Sequence, residues 1–264
     1  MTQHPLRLII PLVILILVGI ASWYVLSRPL PPTPEEPTPI GEMRETTETI
    51  TENGLYHEIK ADYPARTRLS GSANETAVAS MRGFLAEEII AFKENSGLNS
   101  LTPQDIALFG LGGERKYAYG AEYRTFTGDH TVSYVFDIYV DTLGAHPNGY
   151  HKTFTFDLET GAELSVWSLF LPETNYLEIL SQIARSELPE SIATKSGIPV
   201  SDVNIDYIND GTTPMQANFD DFYFDGDDLV VIFQPYQVGP WVIGTQELRI
   251  PKSALVNILK SEYR

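Results

Sequence analysis

Along residues 54–63 the chain alternates, with Leu55, His57, Ile59 and Ala61 on one side and Tyr56, Glu58, Lys60 and Asp62 on the other. That is the period of a half-buried strand. The period then changes. From residue 74 to 95 the apolar positions Val78, Met81, Leu85, Ile89 and Phe92 recur at helical spacing, which predicts a helix capped by Ser72 or Asn74 and closed by Gly97. Three more strands are predicted near residues 116–127, 131–140 and 150–158, the first two joined through Gly128 and Asp129 as a hairpin. Val132, Tyr134, Phe136, Ile138 and Val140 share one face of the middle strand, and Tyr150, Phe154, Phe156 and Leu158 share one face of the next. Glu159, Thr160 and Gly161 supply a tight turn. The pattern describes a meander with one face covered.

The second half repeats the theme. A helix is predicted over about residues 174–188, carrying Leu177, Leu180 and Ile183 and closed off by Pro189. A hairpin follows, with residues 222–224 and 229–233 flanking Asp225 and Gly226, and a last strand over 247–250 leads through Pro251 into a terminal helix. Two helix-on-antiparallel-sheet units, an α+β fold, are therefore expected, with their boundary between residues 141 and 150.

Ahead of this region lie two segments of different character. Residues 8–26 form a run of 19 without charge, long enough at a helical rise of about 1.5 Å per residue to cross most of a hydrocarbon core. Trp23 and Tyr24 sit near its far end, where aromatic rings favour the headgroup layer. A single transmembrane signal anchor over residues 1–28 is expected, with the C-terminal region outside the cytoplasm. Cleavage after the small residues Gly19 and Ala21 would instead release a secreted protein. Six prolines between Pro29 and Pro39 then favour an extended spacer, and with the Thr- and Glu-rich stretch after them they predict a linker over 29–53. The remaining expected ranges are 54–145 and 146–264 for the two α+β units.

Composition narrows the chemistry. The absence of cysteine excludes a disulfide framework, thiolate metal sites and a cysteine nucleophile. A formal charge of −17 repels phosphate backbones and makes nucleic acid an unsuitable partner, while it steers cationic proteins or metal ions toward the surface.

His146 and His151 carry the ring type that binds metals or moves protons. His151 falls on the strand face opposite the apolar residues, and the turn formers after His146 predict a ring bonded to loop backbone or offered to a ligand. Asp220, Asp221, Asp225, Asp227 and Asp228 cluster near the late hairpin but lack the spacing of a calcium loop, so an exposed hairpin end is expected and no metal site. The segment from Tyr236 to Gly244 contains Trp241 between turn residues, where an aromatic ring either stacks on a sugar or plugs the core. His146, Asn148, Tyr236 and Trp241 are the expected ligand-binding residues.

No catalytic residue and no cofactor is predicted. There is no GxSxG, P-loop or HExxH; the HEIKA string at His57 lacks the second histidine and lies in a predicted strand, and the GLGG string at Gly110 lacks the setting of a dinucleotide loop.

Three strings, GAHPN at 144–148, YHKTFTFDLETGAEL at 150–164 and FQPYQVGPWVIGTQELRIP at 233–251, resemble the DUF3298 family. The strand and helix before them look like the DUF4163 domain that commonly precedes it. The likeness covers roughly residues 50–260. It implies an extracytoplasmic domain of the kind found in a lysozyme-binding anti-sigma factor and in a peptidoglycan deacetylase. This chain shows only a short tail before its span and no catalytic domain after the shared region, so neither sigma regulation nor deacetylation is implied. Leu143 stands where the family often has glycine.

The reading is a membrane-anchored binding domain for a cell-envelope ligand, either a peptidoglycan fragment or a lysozyme-like basic protein. A cell-wall hydrolase or deacetylase with an unrecognised site is the alternative, and a structural or sensory subunit of a membrane complex is the second.

Overall fold

A computed structural model describes residues 45–264. The predicted span, and the linker as far as residue 44, lie outside the described residues. Among the described residues no helix is long and apolar enough to cross a membrane.

Residues 45–264 form one compact unit, built as an α+β fold around two sheets. The first sheet has five strands in the order β1 (Thr46–Asn53), β2 (His57–Arg66), β3 (Tyr117–Thr127), β4 (Thr131–Asp141) and β5 (Asn148–Asp157). It is not purely antiparallel. β2 and β3 run parallel, because the chain crosses between them through α1 (Gly71–Asn95) and the short α2 (Pro103–Phe109). The second sheet is an antiparallel β6 (Phe222–Asp225), β7 (Asp228–Phe233) and β8 (Gln246–Pro251).

α1 lays Ala77, Met81, Leu85, Ile89 and Phe92 on the first sheet, against Ile59, Tyr119, Phe136 and Phe154. Its N-cap is Ser70, and the Asn74 side chain turns away to accept hydrogen bonds from the backbone N–H and hydroxyl of Thr67. Gly97, in the left-handed region, follows its end. α2 has a capping box between Thr102 and Asp105 with Pro103 in its first turn.

The other long helix, α3 (Tyr176–Ser196), does not stop at Pro189. Its apolar stripe continues through Leu188, Ile192 and Ala193 onto the second sheet, and burial of that stripe outweighs the one hydrogen bond a proline removes.

The back of the meander is covered as well. Val135 packs against Tyr223, Val230 and Ile232, the face of the second sheet that points away from α3. The layers therefore run helix, sheet, sheet, helix, and β4 is apolar on both faces over part of its length. Edge strand β6 would leave unpaired backbone there. Thr153 and Thr155 of β5 close it, the hydroxyl of Thr153 accepting from the Phe222 N–H at 3.0 Å and that of Thr155 donating to the Phe222 carbonyl at 3.0 Å.

Two boundaries differ from the sequence reading. β5 belongs to the first sheet, so the passage from one sheet to the next follows Asp157 rather than residue 145. Residues 46–53 are strand rather than linker. Only Ile50 of β1 packs on the core; the strand is held by ladder pairing with β2 and by polar side chains such as Thr49 to Asp62 at 2.6 Å and Thr47 to Tyr123 at 2.7 Å.

Candidate functional site

The back face of the first sheet is left open toward the start of β5, beyond the reach of β6. There the segment between β7 and β8 folds over it and leaves a groove of about 310 Å³, lined by Asp137, Tyr150, His151, Trp241, Val242 and Thr245 among others.

Two glutamines set the path of that segment. Gln234 uses its side-chain amide to pair with the backbone of His151 and donates a further bond to Asp221 at 2.8 Å. Gln237 donates to the carbonyls of Gly211 and Asn218 at 3.0 and 3.1 Å and accepts from the Gln234 N–H. Gly211 is required at this junction, since a Cβ there would lie 1.9 Å from the Gln237 carbonyl oxygen. Between the glutamines, Pro235 and Tyr236 make a turn closed by Gln237 N–H to Gln234 O at 3.0 Å. Its second central residue takes positive φ, and that residue is Tyr236, at φ 71° and 57% exposed.

At the groove, Asp137 of β4 and His151 of β5 stand opposite each other in register, and the ring Nε2 lies 2.7 Å from the Asp137 carboxylate. Arg124 adds two hydrogen bonds to that carboxylate, at 3.1 and 3.3 Å. Burial pushes the Asp137 carboxyl up, but the bonds from His151 and Arg124 outweigh it and hold the group below its ordinary range. An ionised carboxylate only accepts, so Nε2 of His151 carries a proton. In the neutral ring Nδ1 is then an acceptor. Its partner is the Thr245 hydroxyl, 3.1 Å away. The backbone around Thr245 is fixed by Lys195, whose ammonium donates to the Thr245 carbonyl at 2.6 Å, and by Gln246, whose amide bonds the Ile243 carbonyl at 2.6 Å.

The expected ligand residues divide around this groove. His146 stacks on Trp241 with ring centroids 4.1 Å apart and planes 27° from parallel, and its Nδ1 donates to the Pro147 carbonyl at 2.9 Å. Trp241 is 38% exposed at the rim and does not plug the core. Asn148 lines a separate cavity of about 220 Å³ on the α1 side of the sheet, with Glu88, Tyr119 and Tyr150. Tyr236 projects from its turn beside Pro235. The two cavities share Tyr150 of β5. Leu143 keeps the left-handed backbone, at φ 57°, that glycine would adopt more readily.

Asp137, Gln234 and Thr245 were not legible as site residues. Their partners lie up to 94 positions away, and no local pattern records such a pairing. Of the acidic cluster, Asp225 and Asp228 both pair with Arg249, and Asp221 binds Gln234 and the Thr153 N–H. Among the described residues no group of three or more histidine or acidic side chains could hold a metal ion.

The α+β fold is shared with proteins of known structure. A DUF3298 family member from Bacteroides fragilis superposes with a TM-score of 0.56 at 16% identity, covering 83% of this chain and 94% of that one. A DUF3298 family protein from Pseudomonas aeruginosa gives 0.55 at 14% identity, over 84% and 97%.

The chain carries a DUF3298 domain, described as a protein of unknown function, which its residues 168–253 match. Among curated proteins it is similar to the peptidoglycan-N-acetylmuramic acid deacetylase PdaC of Bacillus subtilis, 35% identical over 133 residues, half of this chain and 27% of that protein. It is also similar to an esterase of Mycobacterium tuberculosis, 27% identical over 125 residues, 47% of this chain and 51% of that one. The chain thus spans about half or less of the length of these curated relatives.

Proposed function

We propose that this protein is a membrane-anchored extracytoplasmic domain that binds a peptidoglycan fragment in the groove between β4, β5 and the β7 to β8 segment. The observation that carries the reading is the His146 and Trp241 stack at the groove rim. It presents a rigid, partly exposed aromatic face above polar groups, the combination that recognises the apolar face and hydroxyls of a sugar ring. Similarity to a protein named for peptidoglycan deacetylation supports the class of ligand. In this reading residues 8–26 are the anchor, residues 29–45 the spacer, and the first sheet with α1 corresponds to the DUF4163-like part.

Titrating the full-length protein with soluble muropeptides by calorimetry tests the proposal. Saturable binding that is competed by larger wall fragments is expected. Binding of lysozyme with none of muropeptide would transfer the site to a basic protein ligand, for which the acidic surface is suited, and affinity would then fall steeply with salt. Protease added to intact cells should remove the C-terminal domain, and full protection of that domain would overturn the extracytoplasmic placement.

A further inference from the structure

We propose that Thr245, His151 and Asp137 form a hydrolytic relay in this groove, acting on O-acyl esters, with Thr245 as the nucleophile. Three side chains, from β4, from β5 and from the residue just before β8, come together: Nε2 of His151 lies 2.7 Å from the Asp137 carboxylate and Nδ1 lies 3.1 Å from the Thr245 hydroxyl. This is the order of orienting acid, base and hydroxyl that activated nucleophiles require, with the two ring nitrogens exchanged relative to the commoner arrangement. Thr245 and His151 are partly exposed and line the 310 Å³ groove, so a substrate carbonyl can reach the hydroxyl. Gly244 beside Thr245 has no neighbour within 4 Å of where a Cβ would stand, which leaves space for an acyl group.

The step balances without a further reagent. The Thr245 Oγ attacks the ester carbonyl carbon as its proton passes to Nδ1 of His151. The tetrahedral intermediate collapses, the C–O bond to the alcohol breaks, and the leaving oxygen takes the proton from Nδ1. Water then attacks the acyl-threonine, again giving its proton to His151, and the carboxylic acid leaves as the Thr245 hydroxyl is restored. Asp137 is a positioning residue that holds the ring in the tautomer with Nδ1 free to accept. Esters are the favoured class because an alkoxide leaves more readily than an amide nitrogen, and the ring supplies the one proton the leaving group needs.

A sugar-borne O-acyl ester is the substrate that follows from the glycan reading above, whereas the relay itself does not rest on that reading. The test therefore uses a small substrate, p-nitrophenyl acetate, and the full-length protein, so that loss of glycan binding and loss of hydrolysis are read separately. Saturable hydrolysis above the buffer rate is expected, reduced by about a hundredfold or more in Thr245→Val and in His151→Gln. Thr245→Ser should retain it. A fluorophosphonate should add its mass to the peptide containing Thr245 in the native protein and not in Thr245→Val. The proposal is overturned if the folded wild-type protein shows no saturable turnover, or if Thr245→Val with an unchanged melting temperature hydrolyses the ester at the wild-type rate. Lowered melting temperatures in the Thr245 and His151 variants, with no turnover in wild type, would make the three residues a structural clamp and overturn it equally.

Discussion

The side-chain amide of Gln234 pairs with both backbone groups of His151, its Oε1 accepting from the N–H and its Nε2 donating to the carbonyl, each at 2.9 Å. One side chain thereby acts as a short length of strand. It completes the edge of β5 where β6 no longer reaches, and it fixes the backbone from which the groove histidine projects.

Replacing Gln234 with leucine keeps the volume but leaves two backbone groups without their partner. A loss of about 2 kcal/mol in unfolding free energy is expected, measured by urea titration. Ligand affinity should fall with it because His151 is no longer held. Wild-type stability in Gln234→Leu would show that solvent replaces the amide and that the segment is not pinned by it.

The stack of His146 on Trp241 separates binding from folding. Trp241→Ala is expected to weaken muropeptide binding by about 1 kcal/mol, roughly fivefold, with a melting temperature close to wild type because the ring is at the rim. His146→Ala should act in the same direction and to a smaller extent, since it removes support for the ring and not the ring itself. A large loss of stability in either variant would reassign the pair to the core.

Tyr236 carries backbone strain. Its φ of 71° belongs to the left-handed region that side chains disfavour, and its ring is exposed. Tyr236→Gly should therefore raise stability by about 1 kcal/mol in a thermal melt. If ligand affinity drops at the same time, the strain is maintained for contact with the ligand. If affinity is unchanged, Tyr236 is no part of the site.

Asp157 contributes to acid sensitivity. Its carboxylate accepts from the N–H groups of Glu159 and Thr160, the Thr160 hydroxyl and, at 3.2 Å, the hydroxyl of Tyr263 near the C-terminus. Burial raises the group, yet these bonds win and hold it below the ordinary carboxylate range. A depressed folded value means that the stabilisation is present above the unfolded value of about 4 and is lost as pH falls through the folded value. Stability measured from pH 5 downward should decline most steeply below about pH 4. Asp157→Asn should start lower at neutral pH and show a shallower decline.

The strands and the long helices follow from residue periodicity because burial on one face is a local demand, repeated every second or every fourth residue. β2 to β5 and α1 stand close to where that periodicity puts them, and the Gly97 and Gly161 turns fall at positions of positive φ. α2 is not among the predicted elements, although the capping box of Thr102 and Asp105 that begins it is a short local pattern in the chain. β1 lacked any such mark, since TTETITEN has a single apolar residue and its pairing is polar and edge-on. Pro189 suggested a helix end, and the packing of the residues after it decided otherwise.

The sequence by itself determined the α+β class, most element positions, the acidic surface and the DUF3298 likeness, because each is written in composition, in spacing or in short strings. Only the tertiary structure decided that β5 closes the first sheet, that β2 and β3 are parallel, and that Asp137, His151 and Thr245 meet. Those relations join residues across sheets, and what selects them is the burial of both faces of β4 together with the hydrogen bonds that close the strand edges beside it. Neither demand is confined to a stretch of chain short enough to leave a pattern.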